Sequence, residues 1–252
     1  MDVLKVDSNY HPRPKLLEGK TVLVTGAGDG IGRVASLTYA AAGATVILVG
    51  RTGSKLEAVY DEIEGTGGPK PAIVEMDLAS AGEDSYATLA DGLRGEFPHL
   101  DGLLHNAGLL GEMRPIESSS YTAWQEVMQV NVNSQFLLTR AMLPLLQQAP
   151  NASIIFTSSS VGRSGRAYWG SYAVSKFATE GLMQVLAGEL ENTTNVRVNS
   201  LNPRATNTKM RRAAYPGEAP TDNPSPEDIM LPYLFLMGDD SLGVTGRMFD
   251  AR

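Results

Sequence analysis

A single α/β domain, a doubly wound parallel sheet of about seven strands with helices on both faces, is predicted by three observations. Short β-branched and leucine-rich runs alternate with helical patterns along almost the whole chain, and strands separated by helices at this interval pair in parallel through right-handed crossovers. The first run, 20–25, enters a glycine cluster, Gly26-Ala-Gly-Asp-Gly-Ile-Gly32, which opens a helical segment stopped at Gly43; strand, glycine turn and helix together form an anion-binding unit. Later strands end in Asn106-Ala-Gly108 and Ser158-Ser-Ser160, at the carboxyl edge where open α/β sheets take their ligands. Length alone, 252 residues, allows one large domain or two small ones. No linker, repeat or low-complexity tract divides the chain, so 1–252 is read as one domain.

Composition narrows the partners. With 42% hydrophobic and 19% charged residues the chain has a globular balance, and no window approaches the roughly 18 apolar residues of a membrane span. A soluble protein with no membrane partner is expected. Residues 1–19 mix Asp2, Lys5, Asp7 and His11 with two prolines and have no apolar centre, so they read as the irregular leader of a cytoplasmic protein rather than a targeting peptide. The absence of cysteine excludes disulfides and thiolate nucleophiles, and His11, His99 and His105 have no ligand spacing, so no metal is expected. A net charge of −7 gives no basic balance for nucleic acid.

Each element follows from its residues. Gly26, Gly30 and Gly32 depart from the literal G-x-G-x-x-G, but glycine at a helix amino terminus lets the backbone approach a pyrophosphate; the alternative is a plain glycine-rich turn. The second strand, 44–49, ends at Gly50-Arg51-Thr52. An acidic residue there would hold ribose hydroxyls, whereas an arginine accommodates a 2′-phosphate bidentately. Arg51 therefore favours NADP(H) over NAD(H); the alternative is a solvated arginine opening the next loop, and Asp29 inside the glycine turn weighs against a phosphate. A helix around 55–64 leads to a third strand, 72–76, closed by Asp77-Leu78, and a polar helix, 83–96, to a fourth, 102–105, closed by Asn106, Ala107 and Gly108.

The longest periodic segment, 121–148, carries Trp124, Val127, Met128, Val132, Phe136, Leu137 and Leu143 at helical spacing, interrupted by Asn131. An amide in an apolar stripe must be hydrogen-bonded or it costs about 1–3 kcal/mol, so Asn131 either satisfies a backbone break or serves a site. The fifth strand, 153–157, delivers the serines, of which Ser159 is the candidate. Tyr172 and Lys176 follow at i and i+4, a spacing that puts both on one helix face, where an ammonium lowers the pKa of a phenol toward the range of acid–base catalysis. After a sixth strand, 196–201, segment 202–226 holds four prolines beyond Pro203 and two adjacent arginines. It has the composition of a mobile substrate lid. A helix at 226–237 and a strand at 247–249 complete the sheet.

Thr25-Gly26-x-x-x-Gly30-Ile31-Gly32, Asp77, Asn106-Ala107-Gly108, Asn131, Ser159 and Tyr172-x-x-x-Lys176, in this order and spacing, resemble the short-chain dehydrogenase/reductase family over nearly the whole chain. Stretches 105–111, 158–163 and 237–240 resemble a bacterial subgroup, the YciK-like oxidoreductases. The resemblance implies a Rossmann fold, a homodimer or homotetramer, and a nicotinamide cofactor held by Gly26, Asp29, Gly30, Ile31, Gly32, Arg51, Asp77, Leu78, Asn106, Ala107, Gly108, Tyr172, Lys176, Pro203 and Thr208. It implies that Tyr172 is the acid or base, that Ser159 bonds a substrate carbonyl, that Lys176 holds the ribose and tunes the phenol, and that Asn131 supports a proton-relay water. Two positions depart from the family pattern: Arg204 stands where glycine follows Pro203, and His105 replaces an asparagine. The expected activity is hydride transfer between NADP(H) and a carbonyl or alcohol. The alternative is a nucleotide-binding sensor without turnover, for which Arg204, read as adding bulk and charge beside the cofactor, is the best argument.

Overall fold

The computed structural model of the protein describes residues 2–252. Eight strands form one sheet: β1 (Val3–Leu4), β2 (Thr21–Thr25), β3 (Thr45–Gly50), β4 (Ala72–Glu75), β5 (Gly102–His105), β6 (Ala152–Thr157), β7 (Val196–Asn202) and β8 (Met248–Asp250). Their order is β1-β8-β7-β6-β5-β2-β3-β4 and every pairing is parallel. The chain winds outward from β2 through β3 to β4, then returns to β5 on the other side of β2. The reversal opens a crevice between the carboxyl ends of β2 and β5, the position at which such sheets bind ligands.

The sheet is buried on both faces, which is why its strands read as continuous apolar runs. In β2, Leu23 points into one core with Leu89, Leu138 and Met183, while Val22 and Val24 point into the other with Val34, Leu56 and Tyr233. Helices α3 (Glu83–Glu96), α5 (Ser134–Leu146) and α6 (Gly170–Leu190) cover the first face. Helices α1 (Gly30–Ala41), α2 (Gly53–Gly65) and α8 (Met230–Met237) cover the second. Among the described residues no helix is long and apolar enough to cross a membrane.

Three expectations change. The sheet has eight strands rather than about seven, because Val3 and Leu4 pair with Met248 and Phe249 at the edge. The leader is thus not wholly irregular. Leu16 and Leu17 are core residues, the Leu17 amide donates to the Ala42 carbonyl at 2.9 Å, and the missing side chain of Gly43, at φ +98°, lets Glu18 lie against the end of α1. Alternation too brief to register as a strand, and a leucine pair flanked by charges, leave no periodic signal. The long helix is also broken. A π-helical turn, Gln129–Asn133, separates α4 (Tyr121–Met128) from α5, and such turns free a carbonyl and re-aim side chains. Here the Asn131 carbonyl accepts from the Thr179 hydroxyl at 3.4 Å.

Because the Leu17 side chain is fully enclosed, Leu17→Ala is expected to destabilise the protein by about 2–5 kcal/mol. Urea unfolding measures this, and a change under about 0.5 kcal/mol, typical of surface positions, would show that the leader does not belong to the core.

Candidate active site

The glycine turn is shaped by close approach. Gly26 has φ +68° and Gly30 φ +52°, a region closed to most side chains. A Cβ on Gly32 would fall on the Gly26 carbonyl oxygen and lie 2.5 Å from Asn106 Nδ2, so only glycine allows α1 to start this close to β5. Asp29 caps that helix, its carboxylate accepting from the Gly30 amide at 2.9 Å. The Thr25 hydroxyl accepts from the Asn106 and Ala107 amides at 3.0 and 3.1 Å, and Asn106 Nδ2 donates to the Thr25 carbonyl at 3.2 Å. The ends of β2 and β5 are thereby fastened together below the crevice.

The crevice is a cavity of about 520 Å³. It is lined by Gly26, Asp29, Gly30, Ile31, Arg51, Asp77, Leu78, Asn106, Ala107, Gly108, Ser159, Tyr172, Lys176, Pro203 and Thr208. Of the residues singled out from sequence, Gly32 and Asn131 lie behind its wall. Gly32 acts through the close approach just described. Asn131 is a clamp: Oδ1 accepts from the Leu109 amide at 2.7 Å, and Nδ2 donates to the Leu109 carbonyl and the Ser175 hydroxyl, each at 2.9 Å. It ties the loop after β5 to the α6 residue that precedes Lys176.

At the far wall α6 brings Tyr172 and Lys176 to one face, with the Lys176 nitrogen 5.6 Å from the phenol ring centroid. Ser159 stands above them at the end of β6, its hydroxyl capping a short turn by accepting from the Val161 amide at 3.4 Å. The Lys176 ammonium donates to the Thr157 carbonyl at 2.8 Å. Burial brings that ammonium down to about 8, with the Glu180 carboxylate pulling it partly back. Burial likewise pushes the Tyr172 phenol up to about 12, which the adjacent Ser159 hydroxyl partly offsets. The spacing predicts a phenol lowered by its lysine; in this structure desolvation outweighs every other influence and the phenol is protonated at neutral pH.

At the β3 end of the crevice Arg51 is exposed and, among the described residues, has no carboxylate partner. Asp29 does not oppose it, because its carboxylate is bonded to Lys209 at 2.6 Å and Lys55 at 2.7 Å, and these two cations hold it down to about 2. Neither lysine was singled out from sequence. Lys55 lies one turn into α2 and was legible there, whereas Lys209 reaches the glycine turn only because segment 202–226 folds back over the crevice. That segment contains α7 (Lys209–Ala214), so it has helical structure of its own. Its Met210 and Ala214 pack with Trp169 beside Tyr172, and Trp169 lies 5.7 Å from the Tyr172 ring.

The two departures from the family pattern have local explanations. Arg204 adopts φ +62°, which is where a glycine is at ease and a side chain costs roughly 1–2 kcal/mol. Its guanidinium donates to Asp250 at 2.8 Å, so its charge is paired at the cavity rim rather than left free in the cavity. His105 is sealed in the sheet, stacked on Phe156 with ring centroids 4.6 Å apart and bonded to the Thr139 hydroxyl at 2.8 Å. Burial pushes its imidazole down to about 3, so it is a neutral packing residue.

A glycine cradle at a helix amino terminus, a crevice at the sheet reversal, a free arginine beyond it and an enclosed Ser-Tyr-Lys set fit a dinucleotide cofactor and a proton donor. The short chain dehydrogenase family model matches residues 20–219, and the chain belongs to that family. It is 51% identical over 244 residues, 97% of its length and 96% of the relative's, to the uncharacterized oxidoreductase YciK of Escherichia coli K12. A solved short chain dehydrogenase from Salmonella enterica serovar Typhi is 52% identical with a TM-score of 0.95, covering 96% of this chain and 100% of that one. Another, from Escherichia coli CFT073 and complexed with NADPH, is 51% identical with a TM-score of 0.93, covering 96% and 100%.

The Tyr172 environment makes a direct prediction. In the cofactor-free protein, ultraviolet difference titration of wild type against Tyr172→Phe should show no Tyr172 phenolate signal below about pH 11. Because the folded value lies above the unfolded one, this group's contribution to stability is intact below about pH 10 and is lost as pH rises through about 12. A Tyr172 signal near pH 8 would overturn the account of its burial.

Proposed function

We propose that the protein is an NADP(H)-dependent oxidoreductase that interconverts a small carbonyl compound and its alcohol, with Tyr172 as the general acid and base. The observation that carries this reading is the enclosure of Ser159, Tyr172 and Lys176 in one wall of the crevice whose floor is the glycine cradle. Gly26, Gly30 and the start of α1 would receive the pyrophosphate, and Arg51, with Lys55 and Lys209 beside it, the 2′-phosphate. Asp77, Leu78, Asn106, Ala107 and Gly108 would border the adenine and ribose; Lys176, Pro203 and Thr208 would border the nicotinamide end. The relative complexed with NADPH supports the same cofactor here.

When bound, the nicotinamide supplies or accepts the hydride. The protein's residues handle the proton. A phenol held protonated at neutral pH is set as a donor, so Tyr172 gives its proton to the carbonyl oxygen in the reduction direction while the Ser159 hydroxyl donates a hydrogen bond to the same oxygen. Lys176 stabilises the phenolate left behind, and Asn131, by fixing Leu109 and Ser175, supports the route by which a relay water restores the proton. Trp169, Met210 and Ala214 exclude bulk water, and segment 202–226 is the lid that selects the substrate. In the oxidation direction Tyr172 must first lose its proton, so that activity rises with pH. Exposed Phe136, Phe177 and Val185 on α5 and α6 support a homodimer or homotetramer built on these helices, which the mass in solution reads out; the cytoplasm is the compartment assigned.

Two variants test the reading on carbonyl compounds screened with NADPH. Tyr172→Phe should lower turnover by roughly 10²-fold or more while leaving cofactor binding intact. Wild-type turnover in that variant would remove Tyr172 from the chemistry and favour the sensor. Arg51→Ala should weaken NADPH binding about tenfold or more through loss of a charge-assisted contact, leaving NADH unaffected. Fluorescence titration decides this, and tighter binding of NADH than NADPH by wild type would sink the cofactor assignment.

A further inference from the structure

Behind the crevice wall lies a line of charges, buried except for Arg204 at its rim end, that the mechanism above does not use. Glu180 sits one helical turn beyond Lys176 on the same face of α6 and is 4% exposed. Its carboxylate is fully engaged: Oε1 accepts from the Ser158 hydroxyl at 2.7 Å and Arg163 Nε at 2.8 Å, and Oε2 from the Ser200 hydroxyl at 2.6 Å. Arg163 continues to Asp250 at 2.8 Å and to the Phe249 carbonyl at 3.1 Å. Asp250 in turn accepts from Asn202 Nδ2 at 2.9 Å and from Arg204 at 2.8 Å. The charges alternate from Lys176 through Glu180, Arg163 and Asp250 to Arg204, joining the helix of Tyr172 to the serine turn after β6 and to the turn after β7.

Burying charges in this way is a poor route to stability, since well-packed apolar residues of similar volume do as well or better. Its location points elsewhere. Lys176 is 3% exposed, and a lone ammonium in that position would be driven toward its neutral form by desolvation. The other groups facing it do not compensate. Tyr172 on α6 is protonated, β6 and the π-helical turn present only neutral residues, Glu126 on α4 faces solvent, and Arg197 at the start of β7 is held by the Leu236 carbonyl at 3.1 Å. Arg163 pairs with Glu180 itself at 2.8 Å, and Asp250 and Arg204 follow behind it.

We propose that Glu180 is a positioning residue: it supplies the buried countercharge for the Lys176 ammonium and, through Ser158 and the Arg163–Asp250–Arg204 chain, fixes the turns on either side of the reacting carbonyl. Its effect on turnover rests on the oxidoreductase reading, but its effect on Lys176 does not. Burial lowers the Lys176 ammonium from its ordinary value, and this one carboxylate opposes that fall. A glutamine at 180 keeps the shape, its Oε1 still accepting from Arg163 and Ser158 while its Nε2 donates to the Ser200 hydroxyl, but it lacks the charge.

The test is a titration of Lys176 by nuclear magnetic resonance in lysine-labelled, cofactor-free protein, assigned with Lys176→Arg. In Glu180→Gln the ratio of charged to neutral Lys176 at a given pH should fall about tenfold, and Glu180→Asp should restore it. With a substrate in hand, the loss of reductase activity at high pH should begin at lower pH in Glu180→Gln, whereas a merely structural role would scale activity at every pH alike. An unmoved Lys176 titration in folded Glu180→Gln overturns the proposal. If that variant does not fold, wild type decides: the proposal requires Lys176 to be mainly charged at pH 7, and a neutral amine there overturns it. None of these titrations needs turnover, so a protein without reductase activity would refute the proposed function and leave the Glu180 result standing.

Discussion

The approach of α1 to the ends of β2 and β5 is the constraint on which the site depends. Gly32 has no room for a side chain, because a Cβ would collide with the Gly26 carbonyl and the Asn106 amide. That contact sets the start of α1 directly over the sheet reversal, turns its positive dipole end toward the crevice, and holds Asn106–Gly108 at the edge. A larger residue would have to lift the helix, and the cradle would move with it. The position of the cavity is thus a packing result before it is a chemical one.

The opposite wall depends on α6, and α6 is located by polar contacts as well as by its apolar face. Asn131 bridges Leu109 and Ser175 from a π-helical turn, and Thr179 reaches the carbonyl of Asn131. The break in the helix sits where one side chain fastens the β5 loop to the turn of α6 bearing Lys176.

Desolvation governs the electrostatics between these walls, and it acts in opposite senses on the two catalytic candidates. It raises the Tyr172 phenol to about 12 and lowers the Lys176 ammonium to about 8, so two groups whose ordinary values nearly coincide are driven apart and the cation titrates before the phenol. A phenol held neutral and a lysine kept charged are the states a proton donor for carbonyl reduction needs. In the same way Lys55 and Lys209 neutralise Asp29 at the other end, so an acid that by itself would repel an anion instead anchors two cations at the glycine turn.

Much of this was legible in the chain. Strands buried on both faces write themselves as apolar runs, and glycines that permit close approach, a strand-end arginine and a tyrosine four residues before a lysine are short-range patterns, each fixed by neighbours in sequence. The two-residue edge strand and the Leu16–Leu17 anchor left no period to read, because partners far along the chain, at Phe249 and Ala42, make them what they are. The same holds for the direction of the tyrosine's pKa, the pairing of Arg204 with Asp250, and the convergence of Glu180, Arg163 and Lys209 on the site. The sequence by itself determined which residue types stand at the sheet edge, since backbone periodicity and local spacing are encoded within one helical turn or one strand. Only the tertiary structure decided their protonation and their partners, because burial and long-range ion pairing are properties of the packed whole.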